Sequence, residues 1–159
     1  MRLLPKTCFF TGHRVIGVED RATIKKQLEQ EIVKAIAGEV SVFIAGGAVG
    51  FDMIAAETVL RLKKEYPIQL SLYLPCKNHD ILWNEGERLR LEYIKSMADE
   101  IYYVTHEEYK DGCMKKRNMA MVEASDMCIA YIKSNHSGTA QTLKMAEEKN
   151  LKIVKIANH

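Results

Sequence analysis

Val40-Ser41-Val42-Phe43-Ile44-Ala45-Gly46-Gly47-Ala48-Val49-Gly50-Phe51-Asp52 decides the fold of this chain. Its first six residues form a short apolar run, the pattern of a strand covered on both faces. The glycines that follow make a tight turn, and Asp52 opens a helical pattern carrying Ile54, Ala55, Val59, Leu60 and Leu62, closed before Pro67. Strand, glycine turn and helix in immediate succession are the repeating unit of an open α/β sheet.

The unit recurs in both directions along the chain. Thr7 to Phe10 reads as a strand, and the helix after it starts near Asp20, buries Ile24, Leu28, Ile32, Val33 and Ile36, and ends at Gly38. Downstream, strands are predicted at 68–74, 101–104, 127–132 and 153–157, and helices at about 83–97, 114–124 and 138–149. The fold class is therefore α/β: a single doubly wound, mostly parallel sheet, Rossmann-like, with helices on both faces and right-handed crossovers. At 159 residues, with neither internal repeat nor linker, residues 1–159 read as one domain.

Composition excludes several classes. The chain is 47% hydrophobic and 28% charged, which fits a globular protein and not a disordered one. A net charge of +2 argues against nucleic acid and against an acidic membrane surface as partners. No apolar stretch reaches the roughly 20 residues that span a bilayer. Met1 to Lys6 runs straight into a strand, leaving no space for a signal peptide. Cys8, Cys76, Cys113 and Cys128 form no CxxC pair and read as reduced, mostly buried thiols of a cytoplasmic protein.

Three turns carry the candidate site: Thr11-Gly12-His13-Arg14, Gly46 to Asp52, and Ser137-Gly138-Thr139. Turns of this kind gather at the carboxyl ends of parallel strands, where backbone N–H groups and helix N-termini receive anions. A phosphate-bearing small molecule is the expected ligand. Gly46, Gly47 and Gly50 serve either a tight turn or a close approach to phosphate. Asp52 has two uses, as a helix cap or as an acceptor for ribose hydroxyls. Arg14 can grip a phosphate with two parallel hydrogen bonds. His13 is either an acid–base group or a loop hydrogen-bonder. Arg117 and Asn118 are placed to point back at the strand ends, and Trp83 is either core or a stacking platform for a base. Cys76 and His79 are spaced like half of a metal site with no second pair, so no metal is expected. Neither GxxxxGK[ST] nor GxGxxG is present, which excludes a P-loop and an ordinary NAD dehydrogenase.

These residues resemble the SLOG superfamily of Rossmann-like nucleotide-binding domains, which joins the DNA-processing protein DprA to the LOG proteins. Within it the chain is most similar to the YpsA-type, DUF1273 group. The likeness rests on TGHR at 11–14, on AGGAVGFD with AAE between Ala45 and Glu57, on Trp83, on Arg117-Asn118 ahead of Ser125-Asp126, and on SGTAQTL at 137–143. It implies a pocket for a nucleotide or an ADP-ribose-like or NAD-related derivative, with no cofactor required. In that pocket Gly46 to Gly50 and Asp52 line the ligand and Thr139 contacts phosphate.

The LOG phosphoribohydrolase signature PGGxGTxxE is degraded here to Ser134–Thr142, without the double glycine or the glutamate. The expected role is therefore a sensor or regulatory domain. The alternative is an N-glycosidic hydrolase in which Asp52 is catalytic, and single-stranded DNA binding ranks third. A homodimer is a further expectation: Met114, Met119, Met121 and Val122 form either a partner face or core.

Overall fold

Alternate residues of the strand Lys6–Gly12 (β1) enter different cores, and this alternation organises the molecule. The computed structural model describes residues 4–105, 112–133 and 138–156. After β1 come a single 3-10 turn (Val18–Asp20), α1 (Arg21–Ala37), β2 (Val40–Ala45), α2 (Phe51–Leu62), β3 (Gln69–Leu74) and α3 (Glu85–Met97). The chain continues with β4 (Glu100–Tyr103), α4 (Cys113–Glu123), β5 (Met127–Tyr131), α5 (Gly138–Glu148) and β6 (Lys152–Ile156).

The strands form one sheet in the order β4-β3-β2-β1-β5-β6, every pair parallel. Cys8 and Phe10 face a core made with α1, α2 and α3, through residues such as Ile24, Leu28, Met53, Val59, Leu91 and Ile94. Phe9 faces the other way, with Ile44, Cys128 and Ala130, against Met121 and Val122 of α4 and Leu143 and Ala146 of α5. The helices change sides because the chain moves from β1 outward to β4 and then returns to build β5 on the opposite flank. Crossovers of one hand must switch faces when their direction reverses. This is the doubly wound sheet expected from the sequence.

The reversal leaves a switch point between β1 and β5, where Thr11 pairs with Ala130 and Gly12 with Tyr131. Gly12 is needed there for packing: a Cβ would stand 2.5 Å from the buried ring of Phe51.

Local differences from expectation have simple causes. The third helix starts at Glu85 and not near Trp83, because the Asn84 side chain accepts the Glu87 N–H at 2.8 Å and caps it. The second helix is capped by Gly50, so Asp52 lies inside its first turn instead of capping it. Of the methionine-rich stripe, Met121 and Val122 are core, while Met119 is exposed. All four cysteines are free and buried. Among the described residues no helix is long and apolar enough to cross a membrane.

Candidate functional site

At the centre of the switch point lies a buried acid and a buried base that arrive from opposite faces of the sheet. Asp52 comes from α2 and is 5% exposed; Arg117 comes from α4 and is 4% exposed. The Asp52 carboxylate turns back into its own loop and accepts the Ala48 N–H at 3.3 Å. Arg117 donates through Nη1 to the carbonyl of Gly46, and to that of Tyr73 at 3.5 Å. Its Nε donates to Asn118 Oδ1 at 2.8 Å, which orients the amide.

Glycine at 46 allows this arrangement. A Cβ there would lie 2.6 Å from Arg117 Nη1 and 2.8 Å from Asp52 Oδ2. Burial pushes the Asp52 carboxyl above the usual carboxylate range; Arg117, the Ala48 N–H and Arg14 oppose it without cancelling it. Burial likewise lowers Arg117, against the pull of Asp52.

Two loops are stitched to this centre. The Phe51 N–H donates to the His13 carbonyl at 3.1 Å, joining the turn after β1 to the start of α2. His13 Nε2 accepts the backbone N–H of Lys133 at 2.6 Å, joining the same turn to the loop after β5. Lys133 Nζ completes the tie with Asp20 at 3.2 Å. Of the two uses open to His13, the geometry presents the loop hydrogen-bonder.

An acceptor at Nε2 requires the neutral ring with its proton on Nδ1. Burial, and then the Lys133 charge, lower the His13 pKa, so the neutral form is retained below the usual histidine range. We expect nitrogen NMR of His13 at neutral pH to show the Nδ1–H tautomer. A dominant Nε2–H form would break the latch. Because the folded pKa is depressed, the latch contributes stability above the unfolded-state value and loses it as pH falls through the folded one.

A cleft of about 280 Å3 opens above these groups. Thr11, Gly12, His13, Arg14, Asp52, Arg117, Asn118, Gly138 and Thr139 line it, with Ala48, Met114 and Met121. Two turns and the helices α4 and α5, distant in sequence, thus meet in one concavity. Ser137 lies outside the described residues. Gly46 and Gly47 are buried beneath the cleft and are not part of its lining.

Gly50 and Trp83 border a neighbouring cleft of about 350 Å3, on the other side of Arg14. Trp83 and Arg14 also border a third of about 400 Å3, with His79 and Met114. Trp83 packs partly against the core and meets His79 edge-on at 5.2 Å, so the core role is met in part.

His79 was legible only as half of a metal pair. Its Nε2 lies 3.1 Å from the Gly47 carbonyl and its Nδ1 3.3 Å from that of Cys76, so the ring supports the glycine loop from below. Among the described residues no group of three or more His, Cys, Asp or Glu side chains is placed to hold a metal. Arg21 and Lys25 carry no motif, and only the packing of α1 reveals them as cleft residues.

Comparison with known proteins agrees with this architecture. Residues 10–157 match the YpsA family, described as the "YspA SLOG family". A UPF0398 protein of Brevibacillus brevis is 31% identical over 154 residues, 91% of this chain and 82% of that one. A UPF0398 protein of Enterococcus faecalis is 31% identical over 152 residues, covering 89% and 84%.

Among solved structures, DNA processing protein A of Helicobacter pylori, described for its single-stranded DNA binding mode, superposes with a TM-score of 0.72 at 19% identity. The match covers 98% of this chain and 66% of that one. DNA processing protein A of Streptococcus pneumoniae gives 0.71 at 17% identity, over 98% and 51%. At such identities the likeness is one of fold. The family match spans nearly the whole chain, and the protein is a member of the YpsA family of SLOG proteins.

Proposed function

We propose that the switch-point cleft binds a nucleotide or nucleotide-derived small molecule, and that the protein acts as a sensor or regulatory domain. The observation that carries this reading is the convergence of Thr11, Arg14, Asn118 and Thr139 above the buried Asp52–Arg117 centre, in one cleft at the topological switch. The start of α5 and the Thr139 hydroxyl are suited to a phosphate, and Arg14, exposed and without a salt bridge among the described residues, to a second oxyanion. Asn118 offers an acceptor to a ribose hydroxyl.

Binding without turnover is favoured over hydrolysis because the Asp52 carboxylate is already engaged. It lies between Arg117 and the Ala48 N–H and is nearly closed to solvent, a poor position from which to activate water.

Native mass spectrometry of the purified protein, followed by identification of any released small molecule, tests the reading. A co-purifying nucleotide derivative is expected, with Thr139→Val losing it while remaining folded. A protein that no nucleotide stabilises against heat at millimolar concentration would overturn the proposal. Turnover of a nucleotide that disappears in Asp52→Asn would transfer the site to the hydrolase reading.

Single-stranded DNA is the second reading, favoured by the two DNA processing protein A neighbours. It requires affinity for oligonucleotides that falls steeply with salt.

A further inference from the structure

Beyond the ridge formed by Arg14 and Gly50, the cleft of about 350 Å3 is lined by two kinds of surface. Ile16, Val49, Ile54 and Trp83 are apolar; Arg14, Arg21 and Lys25 are cationic. Arg21 and Lys25 stand one turn apart on α1 and so present their charges together. Among the described residues these three cations make no ion pair or hydrogen bond.

Several other cations are paired. In the same cleft Arg90 is held by Glu57 at 2.8 and 2.5 Å. Elsewhere Arg61 pairs with Glu29 at 2.5 Å and Lys63 with Asp99 at 2.6 Å. The cleft therefore gathers three cations with no acid at contact among the described residues, on a chain whose net charge is only +2. A second observation points the same way. Glu87 Oε2, on the lining, lies 3.8 Å from Arg90 Nη1 in an ion pair, but it is shielded from solvent and makes no hydrogen bond.

We propose that this cleft is a second binding site, for a ribonucleoside monophosphate, independent of the ligand of the switch-point cleft. Its phosphate is held by Arg21 and Lys25, its base lies on Trp83, and one of its hydroxyl or amino donors completes Glu87. The three features demand one molecule that joins an anion, a flat ring and a hydrogen-bond donor. Inorganic phosphate or an uncharged nucleoside meets only part of the requirement.

Trp83 is the single tryptophan of the chain and borders this cleft, so its emission reports on binding there. Variants on α1 assign the change to this cleft and not to the one it shares with His79. Titration of the full chain with adenosine monophosphate at low salt is expected to change that emission saturably, and adenosine or inorganic phosphate to bind more weakly. The double variant Arg21→Ala/Lys25→Ala, both exposed positions, is expected to weaken binding about tenfold or more. The double variant Arg21→Gln/Lys25→Gln, with an unchanged unfolding midpoint, guards against a folding artefact. Asn118→Ala, in the switch-point cleft, leaves the emission change in place. Calorimetry reads the switch-point site separately, as binding heat sensitive to Asn118→Ala and indifferent to the α1 variants.

No saturable change at millimolar nucleotide, or a change indifferent to both α1 variants, would overturn the proposal. So would loss of the signal in a folded Asn118→Ala protein, which would mean one site and not two. An oligothymidylate that binds far more tightly, with a salt dependence growing with its length, would replace the mononucleotide with a strand.

Discussion

Arg117→Met is expected to lower folding stability by about 3–5 kcal/mol, the cost of leaving a buried charge without its partner. Arg117 crosses from α4 to the carbonyls of Gly46 and Tyr73 and lies beside the buried Asp52. Methionine fills similar space but returns none of those interactions. With total stabilities of about 5–15 kcal/mol for ordinary domains, such a loss brings the protein close to its threshold.

The pH dependence carries the signature. The Asp52 carboxyl already titrates above its ordinary value when folded, and losing Arg117 removes the main influence holding it down. An acid whose folded pKa is raised favours the folded state when it is protonated, and loses that stability as pH rises through the folded value. The deficit of the variant is thus full near neutrality and shrinks as the medium approaches about pH 4. Adding Asp52→Asn should recover much of it, since removing both partners strands neither. Urea unfolding of the single and double variants at both pH values provides the measurement. A deficit under about 1 kcal/mol, or one independent of pH, would show that the pair is not coupled as described.

Gly50→Ala is expected to cost at least about 3 kcal/mol and to abolish ligand binding at the switch point. Gly50 has φ +82° and ψ −125°, a combination open to glycine and strained for any L side chain. A Cβ there would also collide with the backbone carbonyl of Arg14, which no side-chain rotation can relieve. The turn after β1 would be forced from the start of α2, and the Phe51 N–H would leave the His13 carbonyl, 3.1 Å away.

Gly112 separates the two causes. Its φ is +87°, but among the described residues nothing lies within 4 Å of its missing Cβ. Gly112→Ala should therefore cost only about 1–2 kcal/mol, the backbone penalty alone. Equal unfolding midpoints for the two variants would refute the steric account of Gly50.

Much of the fold was legible because its inner strands β1, β2, β3 and β5 are largely buried and so read as continuous apolar runs. Val40–Ala45 has the same bounds in the sequence pattern and in the structure. Ile24, Leu28 and Ile32 were assigned to the buried face of α1 by spacing alone, and they are buried. The errors fall at element ends. Trp83 lies outside α3, and Asp52 does not cap α2, because a cap depends on one hydrogen bond that periodicity does not encode.

The candidate site was legible as residue types in three turns, and its partition was not. Sequence reasoning grouped Trp83 and Gly50 with Thr139; the fold puts them on opposite sides of the ridge at Arg14. His13 looked equally suited to proton transfer until its Nε2 met the backbone of Lys133, 120 residues away. Arg21 and Lys25 looked like any solvated helix face, since a cleft formed by three separate helices leaves no local pattern.

By itself the sequence determined the alternation of strands and helices, the parallel sheet, and the gathering of glycine turns at one edge. These follow from local periodicity and from the handedness of crossovers, which act over neighbouring elements. Only the tertiary structure decided that Asp52 and Arg117 share one buried centre, that His13 is a latch, and that Arg14 divides two clefts. Those facts depend on distances between segments far apart in the chain, and burial, not residue type, sets the chemistry of the groups that meet there.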